Sequence, residues 1–353
     1  MIDIAYNLSI SNWTVSSTND VRTEFIELAT CLSLNSPNDN CYIKFYDPHS
    51  DSILNQSLIQ VRGNEIVKGD PVIINISVGD VTDNVMTAGV ISVDLSFGQV
   101  MIFGSTNSQN LTNSYLNQTY ENQSMSQIVK DMADQGGVGT GVMEIGSDYP
   151  YFVVHESKSV WQYCRELAHR DGLDLYFDTG NKLTMEKFNK SSADHVFTYG
   201  QDILDLQLNS HQTPKEQIRV YGESPASNQG PDTWHWIVKD ISPFQGEVGN
   251  GTKMLSIQDG ALRTKDAADN LAKAKFGAMK DQSVWGRLKI LGNPAVNLMD
   301  AIEIKDAPRG ELNGLFKVTS VRHLYSKQKG YVTFIGFSGH GGADAGGDLA
   351  GNF

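Results

Sequence analysis

The chain has 353 residues, a length that suits two or three domains with ample material for real cores. Hydrophobic residues make up 40% and charged residues 20%, the composition of an ordinary folded protein rather than a disordered or fibrous one. A formal net charge of -13, with Lys and Arg scattered along the chain, argues against a surface that neutralises phosphates, so nucleic-acid binding is not expected.

The opening MIDIAYNLSISNW lacks a basic stretch followed by an apolar core, so it does not read as a signal peptide. No apolar run approaches the ~20 residues that span a bilayer, and no membrane insertion is expected. Cys31, Cys41 and Cys164 form no CxxC pair, which suits folding in a reducing bacterial cytoplasm.

Residues 1–105 carry an almost pure strand signal. In PVIINISVGD, Val72, Ile74, Ile76 and Val78 point one way and Asn75 and Ser77 the other, the period of a half-buried strand. GVISVDLSFG and QVMIFGS follow, separated by a turn at Phe97-Gly98-Gln99, and the closely spaced strands read as a small barrel or sandwich.

Residues 106–198 change character. Ser124 and Gln127 have the spacing of a capping box before a helix that places Met125, Ile128, Val129 and Met132 on one face and stops at Gly136 and Gly137. Ser159 and Gln162 repeat the spacing before a second helix with Val160, Trp161, Cys164, Leu167 and Ala168 on one stripe, ended by Gly172. LDLYF and NKLTMEKF then form a hairpin around Asp178 to Asn181. This is an α+β module between two β regions, with Trp161, Leu167 and Gly172 as its expected anchors.

Strands return over residues 199–340. Leu204, Leu206 and Leu208 alternate with Asp205 and Gln207, QIRVYG follows the Thr213-Pro214 turn, and IEIKDAP, GLFKVTSVRHLY and GYVTFIGFSG close the region. A helical excursion over residues 261–280 puts Ala268, Leu271, Ala272, Phe276 and Met279 at helical spacing. The last stretch, GGADAGGDLAGNF over 341–353, is too poor in apolar residues to pack alone and reads as a flexible tail ordered by a partner. The order β, α+β, β suggests a duplicated barrel, although no residue-level repeat is visible between the two β regions.

Four stretches in this order resemble the late control D family of phage tail hubs and the hub portion of VgrG-type spikes. They are PVIINISVGDVTDNVMTAGVISVDLSFGQVMIFG, TYENQSMSQIVKDMADQGG, SVWQYCRELAHRDGLDLYFDTGNKLTMEKF and NLMDAIEIKDAPRGELNGLFKVTSVRHLYSKQKGYVTFIGF. The third is the most specific, with Ser159, Trp161, Leu167, Ala168, Gly172 and Gly180 at the family's positions; in the fourth, Asn313-Gly314 precedes the strand carrying Val318 and His323. The resemblance implies a mostly β, α+β fold: two tube-like antiparallel β-barrels with the α+β module inserted between them.

It further implies a non-enzymatic baseplate hub of a contractile injection machine, a homotrimer joining a six-fold inner tube to a three-fold spike within a phage tail or phage tail-like particle. Its partners would be the tube protein, other baseplate proteins and a spike that is a separate polypeptide, because the sequence stops where a VgrG-type chain continues into its needle. Gly341, Gly342, Asp344 and Phe353 would face that spike. Trp234 and Trp236, flanking His235, form an aromatic cluster suited to a subunit interface.

Sharper chemistry is not supported by the spacing of residues. His155-Glu156 begins a zinc-protease motif, but Ser159 stands where the second His belongs. Cys164 and His169 are poorly spaced for ligands on a helix, and His169 reads as a dipole-complementing residue near the helix end. GGVGTG follows a helix rather than a strand, and GEVGNGTK inverts the Lys-Thr order of a phosphate loop, so both read as loops. Glu144, Asp148, Asp171 and Asp174 supply carboxylates, yet nothing in the sequence sets them in a glycosidase cleft. No catalytic residue, cofactor or metal is therefore expected; the alternatives are a peptidoglycan-degrading tail-tip enzyme, or a tail tube subunit with a single barrel.

Overall fold

The computed structural model describes residues 4–18, 25–46, 66–96, 99–210, 215–222, 245–260, 262, 265–308 and 312–339. The first β region contributes β1 (Ile4–Ile10), β2 (Trp13–Ser16), β3 (Phe25–Ser33), β4 (Asn40–Tyr46), β5 (Pro71–Val78), β6 (Val81–Ser96) and β7 (Gln99–Ser105). The middle region holds α1 (Ser108–Asn113), β8 (Gln118–Ser124), α2 (Met125–Gln135), β9 (Thr140–Met143), β10 (Asp148–Val154), α3 (Val160–Arg170), β11 (Asp174–Phe177) and β12 (Leu183–Glu186). The last region runs through β13 (His195–Thr198), β14 (Ile203–Ser210), β15 (Gln217–Tyr221), β16 (Gln245–Gly249), β17 (Met254–Gln258), α4 (Lys265–Ser283), β18 (Val284–Leu291), β19 (Ala301–Lys305), β20 (Gly314–Ser326) and β21 (Gly330–Gly339).

Both outer β regions fold into one 13-stranded sheet. The first lobe has the order β3-β4-β7-β6-β5-β1-β2, and the second the order β14-β18-β21-β20-β19-β13. They are joined where β20 pairs antiparallel with β3, from Ser320↔Ser33 to Ser326↔Glu27. The sequence suggests two separate barrels; the structure instead runs one sheet and one hydrophobic core through both lobes, and no closed barrel forms among the described residues. The reason is local to β20, which is long enough to pair with β19 near its start and with β3 over its second half.

The two lobes are nevertheless duplicates in register. With β3, β4, β7, β6, β5 and β1 matched to β14, β18, β21, β20, β19 and β13, the rung Leu28↔Ile43↔Ile102↔Val93 becomes Leu206↔Leu288↔Ile335↔Val321. Bulges fall at corresponding places, Phe25/Glu27 with Ile203/Asp205 and Val90/Ser92 with Val318/Ser320. Even the loop before the second bulge repeats: Val90 N–H donates to Asp70 O and accepts from Gly69 N–H through its own carbonyl, as Val318 does with Asp300 and Met299. The lobes part company at the outermost strand, since β1 pairs with β5 antiparallel and β13 with β19 parallel.

Alternation explains most of the burial. Val72, Ile74 and Ile76 of β5 are fully buried, as the period of two requires. In β14 the bulge after Ile203 shifts the phase, so Leu204 is exposed while Leu206 and Leu208 pack partly against the core; the three leucines do not share a face.

Two smaller units carry their own cores. In the middle region, α2 and α3 pack with the pair β8-β10 and the sheet β11-β12-β9. Each helix opens with the expected capping box, at Ser124/Gln127 and at Ser159/Gln162. Each closes on a glycine with positive φ, Gly137 or Gly172, after which Val138 N–H reaches Ala133 O and Leu173 N–H reaches Ala168 O. The second unit was not legible as such: β15, β16 and β17 form a sheet of order β16-β15-β17 against which Ala268, Leu271 and Ala272 of α4 are buried. What reads from sequence as a helical excursion is a separate small layer with its own core.

Candidate assembly interface

One junction ties the middle module to both lobes at once. Asp174, at the start of β11, accepts from Asn35 Nδ2 of the first lobe at 2.8 Å and from the Lys317 ammonium of the second at 2.9 Å. Asn35 adopts positive φ (57°), which lets its backbone N–H donate to Leu175 O while its Oδ1 accepts from Leu175 N–H. Lys317 and Asp174 are both nearly buried, so removing either one strands a charge away from water. A second tie joins the module to the small layer: Arg170 bonds Asp259 at 2.9 Å and Glu166 at 3.3 Å while its guanidinium lies over the Tyr149 and Phe152 rings.

Of the three residues expected to anchor the module, Trp161 and Leu167 belong to its core and Gly172 stands at the exit of α3. Trp161 is buried, stacked on Phe177 with centroids 6.2 Å apart, and Leu167 is fully buried. Gly172 supplies the positive φ of 72° that ends α3, and a Cβ there would meet Ala274 of α4 at 3.2 Å. Trp234, Trp236, Gly341, Gly342, Asp344 and Phe353 lie outside the described residues.

A groove of about 3000 Å³ opens between the module, α4 and strands β18, β20 and β21. It gathers the four carboxylates that the sequence leaves unplaced, but three of them serve as ties. Glu144 accepts from Lys187 N–H, Asp171 holds both the backbone and hydroxyl of Ser147, and Asp174 makes the three-way junction. Both oxygens of Asp171 and of Asp174, and Oε2 of Glu144, are thereby engaged.

His169 on the same wall corrects the sequence reading. Burial, then the nearby Arg165 and Lys275 cations, push its pKa down to about 4, so it is neutral at physiological pH and does not complement the helix dipole as a charge. Cys164 is fully buried and its thiol is pushed up to about 12, an inert core residue. His155 and Glu156 are exposed; His155 Nε2 lies 3.4 Å from the Glu156 carboxylate while its Nδ1 accepts from Ser157 N–H, and no cluster of metal-ligating side chains occurs among the described residues. GGVGTG is the helix exit into β9. GEVGNGTK contains β16 followed by a turn in which Glu216 accepts from Thr252 N–H and Lys253 N–H; that carboxylate occupies the backbone donors a phosphate would need.

No family model matches this sequence, and no curated protein matches it. Solved structures do. The 43 kDa tail protein of prophage MuSo2 from Shewanella oneidensis aligns over 94% of this chain and 98% of its own with a TM-score of 0.67 at 12% identity. A tail protein from Neisseria meningitidis MC58 aligns over 96% and 97% with a TM-score of 0.70 at 11% identity. A type VI secretion component from E. coli, described as similar to the T4 bacteriophage tail proteins gp27 and gp5, aligns over 95% and 77% with a TM-score of 0.59 at 9% identity. The chain has the fold of these tail proteins. That tail-protein fold agrees with the order β region, α+β module, β region and with the resemblance carried by the four sequence stretches.

Sequence reasoning missed the β3–β20 joint and the three-way tie at Asp174. The joint pairs residues nearly the whole chain apart, and no periodicity within either strand announces its partner. The tie has a faint signal in Asn35, a residue that tolerates left-handed backbone in a turn.

Proposed function

We propose that this chain is a structural baseplate hub of a contractile injection machine, three copies of which join a six-fold inner tube to a three-fold spike made of a separate polypeptide. The observation that carries this reading is the duplication in register. One chain presents the same arrangement of five antiparallel strands twice, so three chains present six quasi-equivalent units toward a tube and three equivalent faces toward a spike. In this reading residues 1–105 and 199–340 are the two tube-like units, 106–198 is the insert that fixes their relative placement, and 341–353 is a tail that meets the spike. Trp234 and Trp236 serve a subunit contact, and the role is one of assembly, with no catalytic step.

The names of the matched tail and secretion proteins support the same class of role. Reconstruction of the native particle at side-chain resolution tests it. The expected result is three copies at one end of the tube with the two lobes alternating around a ring; six copies per ring, or lobes at clearly different radii, overturns the reading.

A further inference from the structure

Cations prevail in the groove between the module, α4 and strands β18, β20 and β21, although the chain as a whole is acidic. The groove walls carry seven Lys and Arg side chains and five carboxylates, whereas the whole chain has 28 against 41. Among the described residues, Arg165, Lys187, Lys273, Lys275 and Arg287 form no ion pair, while Glu144, Asp171 and Asp174 are engaged in the ties described above. The charge left open on the walls is therefore positive.

Size and surface define the class of occupant. Small-molecule sites usually enclose about 300–1,000 Å³, so a groove of about 3000 Å³ suits a length of polypeptide. On one wall Ala274, Gly277 and Ala278 leave the backbone of α4 open to close approach, and no heavy atom lies within 4 Å of where a Cβ on Gly277 would stand. Val142, Ile145 and Trp285, also on the walls, expose apolar surface.

The chain supplies such a segment beside the groove. Gly339, the last residue of β21, is part of the wall, and a Cβ on it would meet Val284 Cβ at 3.0 Å, so the chain leaves the sheet at the corner where α4 runs into β18. Residues 340–353, HGGADAGGDLAGNF, hold Asp344 and Asp348 and no Lys or Arg. Extended chain spans ~3.3–3.6 Å per residue, which carries Asp344 up to ~17 Å and Asp348 up to ~30 Å from Gly339. At a helical rise of 1.5 Å per residue, Lys275 and Lys273 stand about 13 and 16 Å from Val284 along α4. Both carboxylates reach the open cations with chain to spare. We propose that residues 340–353 fold back into this groove of their own chain, with Asp344 and Asp348 against Lys273 and Lys275 and Leu349 on the exposed apolar side chains of the walls. The contact belongs to the chain before assembly and does not rest on the hub reading; under that reading the spike draws the tail out of the groove.

Zero-length carbodiimide crosslinking of the unmodified full chain tests the contact, because the reagent joins a carboxylate to an amine only where the two touch. Links are mapped by peptide mass spectrometry on the monomeric species, and the Lys158–Glu166 pair, 2.6 Å apart, calibrates the reagent. The expected result is a link from Asp344 or Asp348 to Lys273 or Lys275 in clear excess over links to Lys68 and Lys130, which are exposed and away from the groove. In about 1 M salt, where screening acts within roughly 3 Å, the groove links should be lost. A tail that does not link, links found only between copies, or links spread evenly over Lys68, Lys130 and the groove lysines overturns the proposal. Groove links that persist undiminished in salt overturn the charge pairing. Failure on any of these counts leaves the hub reading standing, since copy number in the particle decides that separately.

Discussion

The two lobes share a register and differ in what fills it. At one layer the first lobe sets Cys41 against Gly104, and the second sets Gly286 against Phe337. Large and small have changed places. A Cβ on Gly104 would lie 2.8 Å from Cys41 Sγ, and one on Gly286 would lie 2.3 Å from Phe337 Cζ, so each glycine is where its neighbour's bulk requires it. The comparison teaches that a duplicated frame keeps its hydrogen-bond ladder and the volume of each layer while the identities drift apart.

The largest effect expected from breaking this comparison is at Phe337. Phe337→Ala removes the ring that fills the second lobe's layer and should cost about 3–5 kcal/mol, whereas Cys41→Ala, which removes one sulfur from the first lobe, should cost about 1 kcal/mol. Urea titrations of both variants measure the difference, and equal losses would show that the two layers do not carry unequal loads. Next comes the junction that holds the lobes to the insert. Asp174→Ala strands the Lys317 ammonium and an Asn35 amide donor, and should cost about 3 kcal/mol by the same titration.

Acid and base should strain the lobes in opposite directions. Burial pushes the Asp39 carboxyl of the first lobe up to about 8, against the Ser33 N–H that donates to it; Val284 stands at the matching place in the second lobe. The folded chain therefore holds a proton that the unfolded chain has released, and stability falls as pH rises from about 4 to 8, by about 1.4 kcal/mol per pH unit. Fully buried His323 in the second lobe is pushed down to about 3, so its contribution is complete above about 6.5 and lost as pH falls from there toward 3. His169 in the insert acts in the same sense as His323. With one carboxyl and two imidazoles opposed, these groups place the optimum near pH 6.5. Asp39→Asn should flatten the alkaline side of a melting-temperature profile and steepen the acid side between about pH 4 and 6.5, where the carboxyl no longer opposes the imidazoles; a parallel shift of the whole profile would refute the assignment.

The smallest effect is a coupling. Gly104→Ala and Cys41→Ala together should cost less than the sum of the singles by about 1 kcal/mol, because removing the sulfur makes room for the new methyl. Gly286→Ala should not be rescued fully by Phe337→Ala, since Gln207 O, a backbone atom at 2.4 Å, still blocks the site.

Local features were the legible part of this molecule. Both capping boxes, both glycine stops, the Asp178–Asn181 turn and the buried face of β5 follow from short-range rules that act within a few residues. The duplication was suspected from element order and stayed invisible by residue, because swaps such as Cys41/Gly104 for Gly286/Phe337 preserve packing and erase identity. The phase error at Leu204 has a similar cause: a bulge is a backbone event that the alternation of side chains does not announce. The β15–β17 layer was hidden because its short strands read as parts of the neighbouring barrel.

The β3–β20 joint also sets a clock. Its two strands lie near opposite ends of the chain, so a ribosome adding roughly 5–20 residues per second delivers β20 about 15–60 s after β3. Throughout that interval the first lobe must wait with one side of β3 unpaired, a strand edge open to any passing partner. Completion of the sheet is thereby tied to the synthesis of β20, and chains cut short before Gly314 should be recovered with chaperones or in aggregates rather than as a stable first lobe.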